Sequence, residues 1–354
     1  MNNIDLLGII KNEMTRSRKP AARRLPTFYP SEASAVTPDG ETLGGCFRKT
    51  WYRTSRVPPS NTSEFYLKMI HTLGSHIEDV VVEQMKRAGI FEANSVKFYN
   101  PEYNLSGEID IAGRYRRQDG SIGYYGVEVK SVYGMGATQT ITGRRRAWRG
   151  QPAFRPKPKE SNLMQTMIYI REFSSKTDSD TSLEYFKLLY LPRDKPIDGR
   201  EYTVRLMHPS EFPSQFSDLA GTLNQKHQYA FITTPDHPDY IEDRFSIDDI
   251  YERFKLLKDT LASGGVPDRT FEKYYSKEKV THLHEIGKIS DNAYQDFKKG
   301  RKTPGHFLCQ SYCEYRDHCY ERSGRPRKEA DSLTQIVVSS KHLDEAEKFT
   351  LEQG

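Results

Sequence analysis

The chain has 354 residues, 36% hydrophobic and 29% charged, and a formal net charge of +5 from 53 basic and 48 acidic side chains. That is enough apolar material for one large domain or two smaller ones, and no apolar run approaches membrane-spanning length. The mild positive charge excludes a uniformly basic nucleic-acid binder, so any such site must be a local patch.

The opening stretch carries no apolar signal segment, so a reducing, cytoplasmic location is expected. The four cysteines are then read as metal ligands or free thiols rather than disulfides. Residues 1–15 show helix-like apolar spacing, and a basic, proline-containing arm follows at 16–24 with Arg18, Lys19, Arg23 and Arg24. Residues 1–30 are thus a helix and arm ahead of a globular part at 31–325. Gly44-Gly45-Cys46 opens a segment at 47–56 that mixes aromatic and basic side chains.

Residues 63–88 read as a long amphipathic helix. Tyr66, Ile70, Leu73, Ile77, Val81, Met85 and Ala88 recur at three- and four-residue steps. On that helix His71, Gly74 and Glu78 share a stripe, whereas His76 lies about 200° from Glu78. Glu78 is therefore the candidate ligand, with His71 in reserve and His76 set aside. Gly74 would let the helix approach another backbone closely. A strand at 90–99 leads onward.

The most informative stretch comes next. Gly107-Glu108-Ile109-Asp110-Ile111 and Gly126-Val127-Glu128-Val129-Lys130-Ser131 flank Gln118-Asp119-Gly120, and Asp-Gly between alternating runs predicts a hairpin. Alternation sends Ile109, Ile111, Val127 and Val129 to a buried face, and Asp110, Glu128 and Lys130 to the other. Two carboxylates and a lysine converging beside a buried sheet suit metal-assisted phosphodiester hydrolysis. Hard oxygen ligands hold Mg²⁺ or Mn²⁺, and the ion activates water and stabilises phosphoryl charge. The Val129 carbonyl is a further candidate ligand. The bland alternative is a solvated strand face with an ordinary Glu–Lys pair.

After two glycines, residues 142–159 carry Arg144, Arg145, Arg146, Arg149, Arg155, Lys157 and Lys159 without an acidic side chain, with Trp148 and Phe154 interleaved. Cations neutralise phosphates and aromatic rings stack on unpaired bases. Arg144, Arg145, Arg146, Trp148 and Arg149 are accordingly DNA-contact candidates. Residues 161–173 read as a helix that places Gln165 and Tyr169 one turn apart. Residues 183–191 and 201–207 read as partner strands. Residues 209–269 read as helices and loops, including 213–223 and 247–262, with His208, His227 and His237 on the surface. Residues 326–354 form a charged tail.

Cys309, Cys313 and Cys319 lie within eleven residues among Phe307, Tyr312, Tyr315 and Tyr320. With Cys46 they make a four-thiolate set that suits either zinc, where His306 or His318 could replace one thiolate, or an iron–sulfur cluster. The spacings alone leave both open, and free thiols as well.

In order, Gly74-x-x-x-Glu78, Gly107-x-x-Asp110, Glu128-x-Lys130 and Gln165-x-x-x-Tyr169 resemble the motifs of the RecB-like branch of the PD-(D/E)XK nucleases. The split cysteine set, with Cys46-Phe47-Arg48-Lys49-Thr50-Trp51-Tyr52, resembles the iron–sulfur exonucleases of that branch, the Cas-four-type CRISPR and phage enzymes and the AddB-like nuclease domains. The resemblance implies an α/β, restriction-endonuclease-like core with a mixed sheet flanked by helices, and an insertion near 195–280. It implies Mg²⁺ or Mn²⁺ on Glu78, Asp110 and Glu128, with Lys130 as catalytic partner and Gln165 and Tyr169 in support. It further implies a [4Fe–4S] cluster on Cys46, Cys309, Cys313 and Cys319. The expected activity is exonucleolytic cleavage of single-stranded DNA or DNA ends in recombination, repair or CRISPR-type processing, alongside a protein partner and away from any membrane. The alternatives are a non-catalytic DNA-end-binding subunit and a zinc-stapled adaptor. No Walker-type phosphate loop occurs, so no helicase motor is expected in the chain.

Overall fold

The computed structural model describes residues 27–60, 64–134, 156–174, 182–193, 199–285 and 289–320, side chains 64–68 and 311 excepted. The predicted helix at 1–15, the arm at 16–24, Arg144, Arg145, Arg146, Trp148 and Arg149, and the tail at 326–354 lie outside these residues. In chain order the elements are β1 (Ser34–Val36), β2 (Thr42–Gly44), α1 (Phe47–Thr54), α2 (Glu64–Arg87), β3 (Phe91–Asn100), β4 (Leu105–Arg116) and β5 (Ile122–Val132). Then come α3 (Glu160–Ser174), β6 (Leu183–Pro192), β7 (Arg200–Met207), α4 (Ser217–Thr222), β8 (Tyr229–Thr234) and β9 (His237–Glu242). The chain continues with α5 (Ile247–Ala262), α6 (Lys277–Glu285), α7 (Asp291–Lys298) and α8 (Arg316–Cys319). The chain divides into two compact units, one from Met1–Gly45 and Tyr66–Lys258, the other from Cys46–Phe65 and Asp259–Gly354.

The first unit is α/β. Its seven-stranded sheet runs in the order β3-β4-β5-β6-β7-β8-β9. Every neighbouring pair is antiparallel except β5 and β6, which run parallel. The predicted hairpin is β4–β5, in register from Arg116↔Ile122 to Ile111↔Val127. Its turn closes as Asp-Gly chemistry dictates. Gly120 takes φ +85°, the Arg117 amide donates to the Ser121 carbonyl at 2.8 Å, and Asp119 Oδ1 accepts the Ser121 amide at 2.9 Å.

Parallel strands require a crossover, and α3 lies between β5 and β6 in the chain. It is buried on nearly every side, through Leu163, Met164, Gln165, Thr166, Met167, Ile168, Tyr169 and Ile170, as a helix covered on all faces must be. Helix α2 covers Ile111, Tyr125 and Val127 with Met85, Val81 and Val82. Its apolar stripe is only partly used, since Leu73 and Val80 are exposed.

Two expectations need correction. Residues 209–269 hold more than helices and loops, because β8 and β9 form an antiparallel hairpin at the sheet edge. Tyr229, Phe231 and Ile241 pack there under Phe212, Phe216 and Leu219. His208, His227 and His237 are half-buried rather than superficial, and His227 Nδ1 lies 3.1 Å from Ser246 Oγ.

Gly126 marks a close approach within the core. A Cβ there would collide with the Phe186 ring, itself stacked on Tyr169 at 5.6 Å between centroids. Gly126→Ala is therefore expected to destabilise the first unit by about 1–3 kcal/mol, measured as a lower denaturant midpoint. An unchanged midpoint would mean that Phe186 can yield.

The second unit holds α1, α6, α7, α8 and a helical turn at Leu308–Tyr312. Among the described residues no helix is long and apolar enough to cross a membrane.

Candidate active site and thiol pocket

Two strands and two helices of the first unit assemble the candidate site. The β4–β5 ladder stops at Ile111↔Val127. Beyond it the Asp110 side chain takes over, with Oδ2 accepting the Val129 amide at 2.8 Å. Val129 thus enters the site through its amide. Glu128, on β5, is 1% exposed. Its Oε1 accepts from the Lys130 ammonium and from Gln165 Nε2 at 2.7 Å, while Gln165 also donates to the Tyr169 hydroxyl at 2.9 Å. Its Oε2 is buried with no hydrogen-bond partner. The strand face that bears Glu128 is therefore roofed by α3 and is not the solvated face of the bland alternative, which makes the carboxylate far more costly to ionise.

Glu78 completes the group from α2, close enough for the charges of Asp110 and Lys130 to act on it. Gly74 sits 3.5 Å from Ser131 Oγ, measured from an added Cβ. That is ordinary contact, so the close approach expected of Gly74 is absent and alanine fits there. His71 and His76 are both exposed, and His76 pairs with Asp79 at 3.8 Å. Glu108, two residues before Asp110, also raises Glu78. Strand alternation could have found it, since it shares the face of Asp110.

The electrostatics follow from crowding. Burial pushes Glu128 up to about 8 against the pull of Lys130, and Asp110 and Glu78 add to the rise. Burial, then the Asp110 charge, pushes Glu78 up to about 7. Burial also raises Asp110, although Lys130 and the Val129 amide oppose it. Burial works against the Lys130 ammonium, yet Glu128 and Asp110 together hold its pKa above the ordinary value. One cation thus serves three carboxyl groups, and part of the acid is protonated near neutrality.

A carboxyl whose pKa is raised by folding keeps protons that the unfolded chain releases. The stability of the ion-free protein therefore falls as pH rises from the ordinary value of 4.5 through about 8. In EDTA the melting temperature is expected to drop over that interval, and Glu128→Gln should flatten the drop. An equally steep drop in Glu128→Gln would place the proton uptake elsewhere.

Among the described residues no three His, Cys, Asp or Glu side chains are drawn together tightly enough to grip one ion as they stand. The donor set nevertheless fits a hard divalent cation: three carboxyl groups, one with a buried oxygen lacking any partner.

In the second unit the four cysteines converge. Cys46, Cys309, Cys313 and Cys319 line one cavity with Arg48, Arg269 and Arg316, and none of the four is in a disulfide. Cys46 precedes α1, whose Phe47 amide donates to Thr270 Oγ1 at 3.0 Å, and Arg269 Nη2 donates to the Cys319 carbonyl at 2.7 Å. These contacts draw the segment after residue 45 to the one before residue 320. Burial pushes the Cys309 thiol up to about 12 and the Cys319 thiol up to about 11, and it also raises Cys313. Such thiols lose their protons only to a bound cation. Arg48 Nε is buried without a partner, which suits an anionic centre in the cavity. His318 is committed elsewhere, with Nε2 2.7 Å from the Pro58 carbonyl, and His306 stacks on Phe271 at 3.7 Å between centroids. Neither lines the thiol cavity.

Comparison of the chain with protein-family models, with curated proteins and with solved structures finds no match in any of the three.

Proposed function

We propose that the first unit is the catalytic core of a metal-dependent deoxyribonuclease of the RecB-like PD-(D/E)XK kind, acting on single-stranded DNA or DNA ends. The observation that carries the reading is Glu128: a fully buried carboxylate with one oxygen on Lys130 and Gln165 and the other without a partner. The large majority of buried polar atoms are hydrogen-bonded, so an orphan carboxyl oxygen calls for a functional account.

When bound, Mg²⁺ or Mn²⁺ supplies an activated water and electrophilic stabilisation of phosphoryl oxygens. Glu78, Asp110 and Glu128 would hold the ion, with the Val129 carbonyl as a further ligand. Gln165 fixes Glu128 through Oε1 and leaves Oε2 without a protein partner, so Oε2 would be available to an ion, and Tyr169 fixes Gln165 in turn. The Lys130 ammonium, held by Glu128 in the ion-free protein, would orient the attacking water or neutralise charge building on the phosphate. Arg144, Arg145, Arg146, Trp148 and Arg149 would grip the DNA.

The second unit, on this reading, carries an iron–sulfur cluster on Cys46, Cys309, Cys313 and Cys319. Four thiols line one cavity, a donor set that suits such a cluster, with one zinc ion as the alternative. The arginines around it offset the charge of a thiolate-bound cluster. The host process would be recombination, repair or CRISPR-type DNA processing with a protein partner.

The deciding experiment is digestion of end-labelled single- and double-stranded DNA with Mg²⁺, Mn²⁺ or EDTA, comparing wild type with Glu128→Ala. Cleavage that needs the ion and vanishes in Glu128→Ala supports the reading. Cleavage that survives EDTA or the substitution removes it.

A further inference from the structure

The parallel pair β5–β6 ends at Val132 and Pro192, which lie opposite each other. The residue that follows each strand is unusual. Tyr133, which follows the strand that carries Glu128 and Lys130, is 62% exposed. Arg193 donates its backbone amide to the Val132 carbonyl at 2.8 Å, which fixes it beside β5. Its guanidinium carbon lies 5.4 Å from the centre of the Tyr133 ring, and its Nε is buried with no partner. A large ring in water and a cation with an unused donor are thus held side by side where the two strands end. In open α/β sheets that edge is where ligands bind. Three residues of extended chain, about 10 Å, separate Lys130 from Tyr133.

We propose that Tyr133 and Arg193 form a nucleotide-binding step beside the candidate active site, with Tyr133 stacking on an unpaired base and Arg193 on an adjoining phosphate. The inference rests on the nuclease reading and deepens it by naming the substrate as a strand with an unpaired base near the cut. A paired base inside a duplex shows no free face to the ring. Stacking on an aromatic side chain tolerates any base, so the step selects strandedness and not sequence. The cation on one side of the ring leaves the other side for the base.

The test separates the step from the chemistry. Binding of a fluorescein-labelled oligothymidylate is measured by anisotropy on Glu128→Gln protein, with EDTA present. Tyr133→Ala in that background should weaken binding about 10-fold, within the range expected for one stacked base, and Tyr133→Phe should restore it. Arg193→Ala should reduce the salt slope of binding by about 1. In cleavage, Tyr133→Ala should raise KM for single strands and leave blunt duplexes alone. An abasic site placed at successive positions should find one where wild type and Tyr133→Ala bind alike. Equal affinity of Tyr133→Ala and wild type for the oligonucleotide would overturn the step, as would equal losses on blunt duplex. If no metal-dependent cleavage is found while the Tyr133 effect on binding persists, the nuclease reading fails and the binding step stands.

Discussion

A Lys130→Ala protein is expected to fold, to bind DNA and to cleave it at least about 10³-fold more slowly than wild type, the scale of losing a charge-stabilising group at a transition state. The argument begins in the ground state. Lys130 is the cation shared by Glu128, Asp110 and Glu78, so its removal leaves buried acid without a countercharge. Elsewhere that would unfold a protein. Here the acid has another course, because Glu128 is already held up to about 8 and takes a proton when the ammonium is gone. The fold therefore persists at neutral pH and weakens as pH rises, since ionising Glu128 then has nothing to offset it. Adding Glu128→Gln to Lys130→Ala should recover stability at alkaline pH without recovering cleavage. Melting curves across pH, with a gel assay of end-labelled DNA, check both halves. Cleavage within about 10-fold of wild type in Lys130→Ala would remove the lysine from the chemistry, given that a positioned acid–base group ordinarily contributes 10²–10⁴.

The second large effect concerns the thiols. Cys309→Ala or Cys313→Ala is expected to abolish any bound metal and to unfold the second unit. Its described apolar core is small: Phe47, Trp51, Tyr52, Val57, Leu261, Val280 and Tyr315 are buried besides the thiols. A core of that size supplies little net stability once chain entropy is subtracted. Bound metal can supply about 10–16 kcal/mol in small thiolate domains, comparable with the whole stability of an ordinary domain. Protein purified without oxygen should be brown if it carries an iron–sulfur cluster and colourless if it carries zinc. The alanine variants should lose metal by elemental analysis and gain protease sensitivity within residues 259–320. Variants that melt like wild type would show that the thiols are not needed for the fold.

Much of this was legible in the sequence, for physical reasons. The β4–β5 hairpin is local, alternates with period two and turns on Asp119-Gly120, so nearest-neighbour chemistry specifies it. Glu78 and the Gln165–Tyr169 pair were legible because helical spacing fixes which residues share a face. The β8–β9 hairpin was not. Pro235 and Pro238 interrupt the pattern, and Pro238 is tolerated in β9 because that strand is the sheet edge. Nor was the burial of Glu128 legible. Alternation places it opposite a buried face, but only the packing of α3, more than thirty residues along, decides that its own face is closed too. Likewise the cysteine spacing announced a common centre without saying that arginines would line it.

Where the ladder between β4 and β5 ends, Asp110 has one employment toward the backbone and, on the nuclease reading, a second toward the reaction. An asparagine retains the first, since its amide oxygen still receives the Val129 N–H, and surrenders the second with its charge. On the nuclease reading, Asp110→Asn is consequently the substitution expected to silence turnover while the contact with Val129 is kept, and it offers a trapped form for crystallising the protein on an intact DNA end.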